Sequence, residues 1–449
     1  MIIGLCEDYP EESRSLESAR RDLAAARALG AQVLRIAFAW DAIESEPGQY
    51  DWTFWDRFVE MADEADIRLI PYICYTPRWA ADAGGDERFW RHPPKDPSRF
   101  AQFVTILVNR YKDRIHSWEL WNEPDNPDYW VGTIEQYAQL VKAGSQAVRA
   151  ADPSAVVVLG GVAWELDFVE RLLRDHDLSR SVDVINVHSY FETWSPDPLE
   201  FLPQYVGRLR EIIQRYGDHQ LIYMAEVGYS SYRHGAAVSS AYWCAFDYEH
   251  TEAYQAQQLF KTLTLLAADG DVALVAWYRI NDLPDSQEVI GDVNNRHLGL
   301  YRPDASAKPA AAALATFTRL MHGAWPIDAL VSVNHSIDSD AQIHAFQRPN
   351  GSVVIVGWLK TNILGDRPLT HGGDAHDRRK QSVRVTVTSP PLKRRAIELT
   401  LRGGELTILE LTQPGMDRVE LSGAAAVPGA ARGGFSPAAG AGLSSAAAR

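Results

Sequence analysis

The chain has 449 residues, 46% hydrophobic and 23% charged, with a formal net charge of −15. That is the composition of an ordinary soluble globular protein, and the length suits one large domain with a smaller one beside it. The negative excess, with no run of Lys and Arg to reverse it, argues against nucleic acid and an anionic membrane surface as main partners, because binding phosphates needs basic patches; a neutral ligand is compatible with it.

Residues 1–10 carry neither the basic stretch nor the long apolar core of a signal peptide. No segment reaches the ~18–20 consecutive apolar residues of a membrane span, so a cytoplasmic location is expected. The cysteines, Cys6, Cys74 and Cys244, offer no disulfide framework and no CxxC metal spacing. They read as buried free thiols.

From the N-terminus to about residue 320, short apolar runs alternate with helical patterns. Strands are predicted at 2–6, 33–40, 69–75, 117–122, 156–160, 184–188, 221–226 and 274–279. Helices are predicted at 16–29, 52–65, 97–112, 134–150, 168–175, 199–216, 252–268 and 309–321, the first stopped by Gly30 and the last opened by Pro309. Runs that are continuously apolar rather than alternating indicate a parallel sheet covered by helices. Eight such units close into a (β/α)8 TIM barrel, and a doubly wound open sheet would want a Gly-rich turn where Cys6-Glu7-Asp8-Tyr9-Pro10 stands.

Past residue 325 the pattern changes to short runs rich in Val, Ile, Leu and Thr, at 342–347, 353–359, 382–388, 396–401 and 405–411, with turn signals such as Pro349-Asn350-Gly351 between them. This predicts a small C-terminal antiparallel β-sandwich, with 365–381 as a long loop. From Gly423 onward the chain is nearly all Ala, Gly, Ser and Pro and is expected to be disordered. The expected domains are a barrel over 1–323, a sandwich over 324–415 and a tail over 416–449.

The chemistry is read from the strand ends, which in a barrel face the active site. The fourth strand runs into Trp121-Asn122-Glu123-Pro124 and the seventh into Ala225-Glu226-Val227-Gly228. These two glutamates, about three βα units apart, can meet across the mouth. A pair of carboxyls there is the minimum equipment for splitting a glycosidic bond, and roughly 5–5.5 Å between them would make the reaction retaining. Trp40, Trp79, Trp90, Trp130, Trp164, Trp194 and Trp243 fall at strand ends or in the loops after them. As a set they suggest a groove for sugar rings, whose apolar faces stack on aromatic side chains.

These motifs resemble those of the clan A glycoside hydrolases, in the manner of family 39 or family 5 (β-xylosidase-like and cellulase-like enzymes), over roughly residues 1–323. The resemblance implies Glu123 as general acid/base, Glu226 as nucleophile and Asn122 as partner of the sugar 2-hydroxyl. It further implies Arg35 as the cation that keeps the nucleophile ionised, and His188 and Tyr190 as the polar pair beside it. An ion pair of Arg35 with Glu119 is an equally ready reading, and both can hold. Trp277 resembles the tryptophan that floors the reactive subsite, with a cis bond to Tyr278, and Trp40 is taken as a further substrate contact. No metal or organic cofactor is needed, and an oligosaccharide or other glycoside is the expected partner. Because the first barrel strand begins at residue 2, the sandwich must come from the C-terminal portion alone. The competing readings are a transglycosylase on the same site, a non-catalytic carbohydrate-binding barrel, and a metal-dependent hydrolase for which only His188 is a clear strand-end ligand.

Overall fold

A computed structural model describes residues 1–8, 15–195, 197–232, 250–291, 293–334, 340–360, 379–389, 392–413, 415–419 and 421. Eight parallel strands close a barrel in chain order: β1 (Ile2–Glu7), β2 (Val33–Ala39), β3 (Arg68–Cys74), β4 (Ser117–Asn122), β5 (Val156–Gly161), β6 (Val184–Ser189), β7 (Leu221–Val227) and β8 (Val272–Tyr278). Each is followed by a helix: α1 (Leu16–Ala28), α2 (Thr53–Glu64), α3 (Pro97–Tyr111), α4 (Ile134–Ala151), α5 (Leu166–Arg174), α6 (Leu202–Tyr216), α7 (Glu252–Asp269) and α8 (Pro309–Met321). No helix among the described residues is long and apolar enough to cross a membrane.

The helix starts are set locally. Ser15, Asp96 and Thr251 each accept a backbone N–H from the first turn, and Thr133 and Gln136 form a reciprocal capping box. Gly270, at φ +84°, ends α7 in the left-handed conformation that glycine adopts without steric cost.

Side chains alternate between two environments along each strand. Leu34, Ile36 and Phe38 of β2 join the large cluster between strands and helices, where Phe38 meets Trp55, Tyr111 and Trp118 edge-on. Cys6, Val33, Ile70, Val158, Val184, Tyr223, Ala225, Leu274, Ala276 and Tyr278 form a second cluster that fills the barrel interior. Every strand is thus buried on both faces, which is why its sequence reads as an unbroken apolar run. Cys6 and Cys74 are buried free thiols; Cys244 lies outside the described residues.

The C-terminal part is a two-sheet antiparallel sandwich. One sheet orders β10 (Val331–Asn334), β13 (Lys380–Ser389) and β14 (Lys393–Arg402); the other orders β16 (Met416–Val419), β15 (Thr407–Leu411), β12 (Val353–Leu359), β11 (Ala341–Gln347) and β9 (Trp325–Pro326). β12 shows period-2 logic on two fronts. Val353, Ile355 and Leu359 face the partner sheet, while Val354, Val356 and Trp358 belong to the same apolar cluster as the barrel helices. Trp358 also donates its indole N–H to Glu200 Oε1 at 2.8 Å, before α6.

Several boundaries differ from expectation. β9, β10 and β16 were not anticipated, and β16 carries the sandwich to Val419, beyond the expected limit of 415. All three are short and lie at sheet edges, and β9 and β16 are almost wholly exposed, so they carry little apolar signal. Lys380 and Gln381 are in β13 rather than the expected loop. Residues 365–378 of that loop, and the tail from 423, lie outside the described residues.

Trp358 makes the sandwich an extension of the barrel's own packing. Trp358→Ala should cost about 3–5 kcal/mol, read from the denaturant midpoint. The barrel and sandwich should still unfold in one transition by both intrinsic fluorescence and far-UV circular dichroism.

Candidate active site

Arg35 sits at an inner position of β2, fully buried, and its guanidinium is shared among Glu119, Asn122, Glu226 and, at 3.4 Å from Nη1, the Cys6 sulfur. Nε and Nη2 donate to Glu119 Oε2 and Oε1 at 2.7 and 2.9 Å, Nη2 donates to Asn122 Oδ1 at 2.7 Å, and Nη1 donates to Glu226 Oε2 at 2.8 Å. The ring of Tyr72 lies 4.2 Å beneath the guanidinium carbon. Glu119 is completed by the Gly161 N–H at 2.8 Å and the Asn186 side-chain amide at 3.0 Å. Such a fork–fork pair, fully desolvated and fully hydrogen-bonded, fixes the plane in which Arg35 presents its remaining N–H groups. Both sequence readings of Arg35 therefore describe its contacts.

Glu123 reaches the mouth because the end of β4 leaves regular strand geometry. Trp121 and Glu123 have φ of +87° and +44°, sparsely populated values for residues with a Cβ, and successive residues Asn122 and Glu123 both turn inward. Glu123 Oε2 accepts from the Asn126 amide at 2.7 Å, and Oε1 lies 2.9 Å from His188 Nδ1. Asn122 also donates to the Tyr75 hydroxyl at 3.3 Å. Two residues further on, Asp125 takes the backbone N–H groups of Ala163, Trp164 and Glu165, tying the loop after β5 to the loop after β4.

Glu226 projects from the end of β7, where the register with β8 shifts. Its Oε1 accepts from the Tyr190 hydroxyl at 2.6 Å, and its Oε2, held by Arg35, lies 3.7 Å from His188 Nδ1. Ligand atoms of Glu123, His188 and Glu226 all lie within 4.8 Å of one another. The two carboxyls are thus close enough to address one reacting carbon.

Their surroundings differ. Burial lifts Glu123 to about 7, with the Asn126 bond and the Arg35 charge only partly opposing it. Burial also raises Glu226, against the pull of His188 and of the guanidinium in direct contact. Burial pushes His188 below its usual range, so its imidazole is neutral. The donor set of Glu123, His188 and Glu226 is one a divalent cation could use, although Arg35 already holds the Glu226 oxygen that would ligate it.

Six of the eight expected site residues, Glu123, Glu226, Asn122, Arg35, His188 and Tyr190, come together in this network. Two do not. Trp277 belongs to the cluster between barrel and helices, while its neighbours Ala276 and Tyr278 are in the interior cluster. A one-residue step along a strand exchanges faces, so Tyr278 holds the inward position assigned to Trp277, and the cis bond follows Tyr278 rather than Trp277. Trp40, which opens a four-residue helix, stacks on Phe103 and packs edge-on against Phe100 and Trp79, with its indole N–H on Glu44 at 2.7 Å. It is a packing residue behind the strand. Of the tryptophans read as a groove, Trp130 is buried against Trp121 and Trp164 is exposed; Trp243 lies outside the described residues. Asp8, Tyr72, Asn126 and Asn186 were not foreseen. Extending the two-residue alternation from Arg35 and His188 would have found Asn186, and the three-residue offset from Glu123 would have found Asn126.

His188 owes its place to Gly161, where a Cβ would stand 2.0 Å from His188 Nε2. Gly161→Ala should therefore displace the imidazole from Glu123 and destabilise the protein by about 1–3 kcal/mol. Gly207→Ala, on α6 with nothing within 4 Å of the new methyl, is the control and should be neutral to slightly stabilising. Thermal unfolding of both variants checks the pair.

Comparisons with known proteins bear on the fold and on the first half of the sequence. The model of glycosyl hydrolases family 39 matches residues 8–231. A β-xylosidase of Caldicellulosiruptor saccharolyticus is 33% identical over 140 residues, which is 28% of this chain and 28% of that relative's length. Among solved structures, a family 39 glycoside hydrolase from the gut symbiont Bacteroides cellulosilyticus WH2 superposes with a TM-score of 0.66 at 17% identity, over 90% of this chain and 80% of that one. A monomeric β-xylosidase from Caulobacter crescentus CB15 gives 0.61 at 18% identity, over 91% and 95% of the two chains. In its sequence match, its closed barrel and its added sandwich, the chain resembles family 39 of the clan A glycoside hydrolases.

Proposed function

We propose that the chain is a retaining β-glycoside hydrolase in which Glu226 is the nucleophile and Glu123 the general acid/base. The observation that carries the reading is the pair of carboxyls within 4.8 Å of each other, one gripped by a guanidinium and a phenol, the other lifted to about 7 by burial. With one oxygen of each carboxyl inside that distance, the pair sits nearer the roughly 5–5.5 Å of retaining enzymes than the roughly 6.5–9.5 Å of inverting ones.

In the first step the Glu226 oxygen attacks the anomeric carbon while Glu123 gives its proton to the departing glycosidic oxygen. A covalent glycosyl ester forms on Glu226, and the aglycone leaves as an alcohol. Glu123, now a carboxylate, takes a proton from the incoming water, whose oxygen displaces Glu226 and restores the original configuration. The Arg35 contact and the Tyr190 hydrogen bond stabilise Glu226 as an anion before attack and again as leaving group. The amide of Asn122, held between Arg35 and Tyr75, is placed for the hydroxyl next to the reacting carbon. The β-xylosidase names among the relatives make β-xylosides the first substrates to try.

The pH dependence follows from the two directions. Glu123 is the acid only while protonated, so kcat/KM falls as pH rises through about 7. Glu226 attacks only while ionised, and because burial raises it, the acidic limb lies above the ordinary glutamate range. The expected profile is a narrow bell whose alkaline limb disappears in Glu123→Gln.

Role assignment is checked with aryl β-xylosides and azide. Glu123→Ala should lose about 10²–10⁴-fold on substrates with poor leaving groups and yield a β-glycosyl azide. Glu226→Ala should yield the α-azide. Exchanged products reverse the roles, and unimpaired hydrolysis by either variant removes that residue from the mechanism.

A further inference from the structure

The barrel mouth holds a cavity of ≈170 Å³ lined by Asp8, Tyr129, Tyr278, Gln287, Glu288 and Asn295 together with the apolar Val289 and Ile290. One water needs only ~10–15 Å³ by the same kind of measure, so the space admits a larger polar guest. It belongs to the same mouth as the site. Tyr129 stacks on Tyr75, whose hydroxyl holds Asn122, and the negative charge of Asp8 raises both Glu123 and Glu226.

Asp8 stands at the end of β1, half-buried. Its Oδ1 accepts the Tyr72 hydroxyl and its Oδ2 accepts the Tyr278 hydroxyl at 2.8 Å. Among the described residues no Lys, Arg or His forms an ion pair with it. A carboxylate oxygen accepts about two hydrogen bonds, so among the described residues one phenol on each oxygen leaves one acceptor site on each. The two phenols, one on each oxygen, hold the carboxylate plane.

We propose that Asp8 is a specificity-determining residue that binds two neighbouring hydroxyls of a neutral sugar and turns away uronates, an inference that rests on the glycoside-hydrolase reading above. Two parallel O–H···O⁻ bonds from vicinal hydroxyls match the open acceptor pair, and hydrogen bonds to an ionised oxygen are roughly twice as strong as neutral ones. Gln287 and Asn295 supply amides that can both donate to and accept from further hydroxyls. A uronate in the same cavity would bring a third carboxylate against Asp8 and Glu288, with no cation in the lining to offset it.

The experiment compares wild type with Asp8→Asn on p-nitrophenyl β-xyloside and p-nitrophenyl β-glucuronide, with calorimetric titration of xylose and glucuronate in parallel. Asn keeps the shape and removes the charge but can accept only one of the two phenols; Tyr278→Phe, which removes one phenol from Oδ2 without altering the charge, is the second variant and separates that loss from the loss of charge. Asp8→Asn should lower kcat/KM on the xyloside at least tenfold, and the ratio of xyloside to glucuronide activity should fall by more than that. Deleting one vicinal hydroxyl from the xyloside should cost wild type tenfold and cost Asp8→Asn little. Tyr278→Phe should weaken the xyloside reaction and leave the ratio unchanged. Wild type that binds xylose over glucuronate, with the preference lost in Asp8→Asn, supports the assignment even if no hydrolysis occurs, in which case only the catalytic reading fails. Equal losses on both glycosides, additive effects of the hydroxyl deletion, or no sugar binding by wild type would overturn it.

Discussion

One buried guanidinium organises the mouth of this barrel. Arg35 has no exposure to solvent and serves Glu119, Asn122 and Glu226 at once. Alone, a buried cation of that kind would be unaffordable, since desolvating it costs several kcal/mol even after relaxation. The bidentate Glu119 contact offsets that cost and also sets direction, because it leaves Nη1 aimed at Glu226. The residues around it then have a division of labour. Arg35 touches Glu226 directly and Glu123 not at all, and burial raises Glu123 with the more distant guanidinium only partly opposing it. Glu123 is the outcome, a carboxyl with an amide and a neutral imidazole for company and a value of about 7. On the proposed reading, the nucleophile is the carboxyl that touches the guanidinium and the Tyr190 hydroxyl, and the acid is the one that touches neither.

Much of this was legible in the chain itself. The barrel strands announce themselves as apolar runs because both of their faces are buried. Polar residues inside such runs, Arg35, Glu119 and His188, can only be tolerated where they find partners, so they mark the interior face. The same double burial hides which way an apolar residue points. β8, Val272–Tyr278, has no polar residue to set its phase, and Trp277 was placed on the wrong side by one step. For Trp40 the phase was available from Arg35, five residues earlier and therefore on the opposite face. The positive φ values at Trp121 and Glu123, which bring Asn122 and Glu123 to the same side, have no signature in residue type. Asp8, Tyr72 and Tyr278 belong to one cluster only through the closure of β1 against β8 and β2 against β3, and that is a property of the fold.

The sandwich follows a related logic. Its central strand β12 is buried on both faces and was visible, whereas the short flanking pieces β9 and β16 expose most of their length and were not. Val354, Val356 and Trp358 give the barrel helices an apolar partner surface, so the module and the barrel share one core. The loop after β8 is anchored independently. Glu7 pairs with Arg279 and accepts the N–H groups of Ile280 and Asn281, while the buried Lys308 holds both oxygens of Asp282 at 3.0 Å. That loop carries the cavity wall opposite Asp8, and its position is therefore fixed by strand-end ion pairs rather than by the sugar it is proposed to meet.

The account stands on Glu123 being protonated in the resting protein while Glu226 is held as its ionised neighbour. A ¹³C NMR titration of the glutamate carboxyl carbons, with Glu123→Gln used to assign the resonance, measures this directly. The expected result is a Glu123 midpoint near 7. A midpoint in the ordinary range for glutamate, about 4.3, would contradict the division of roles between the two carboxyls.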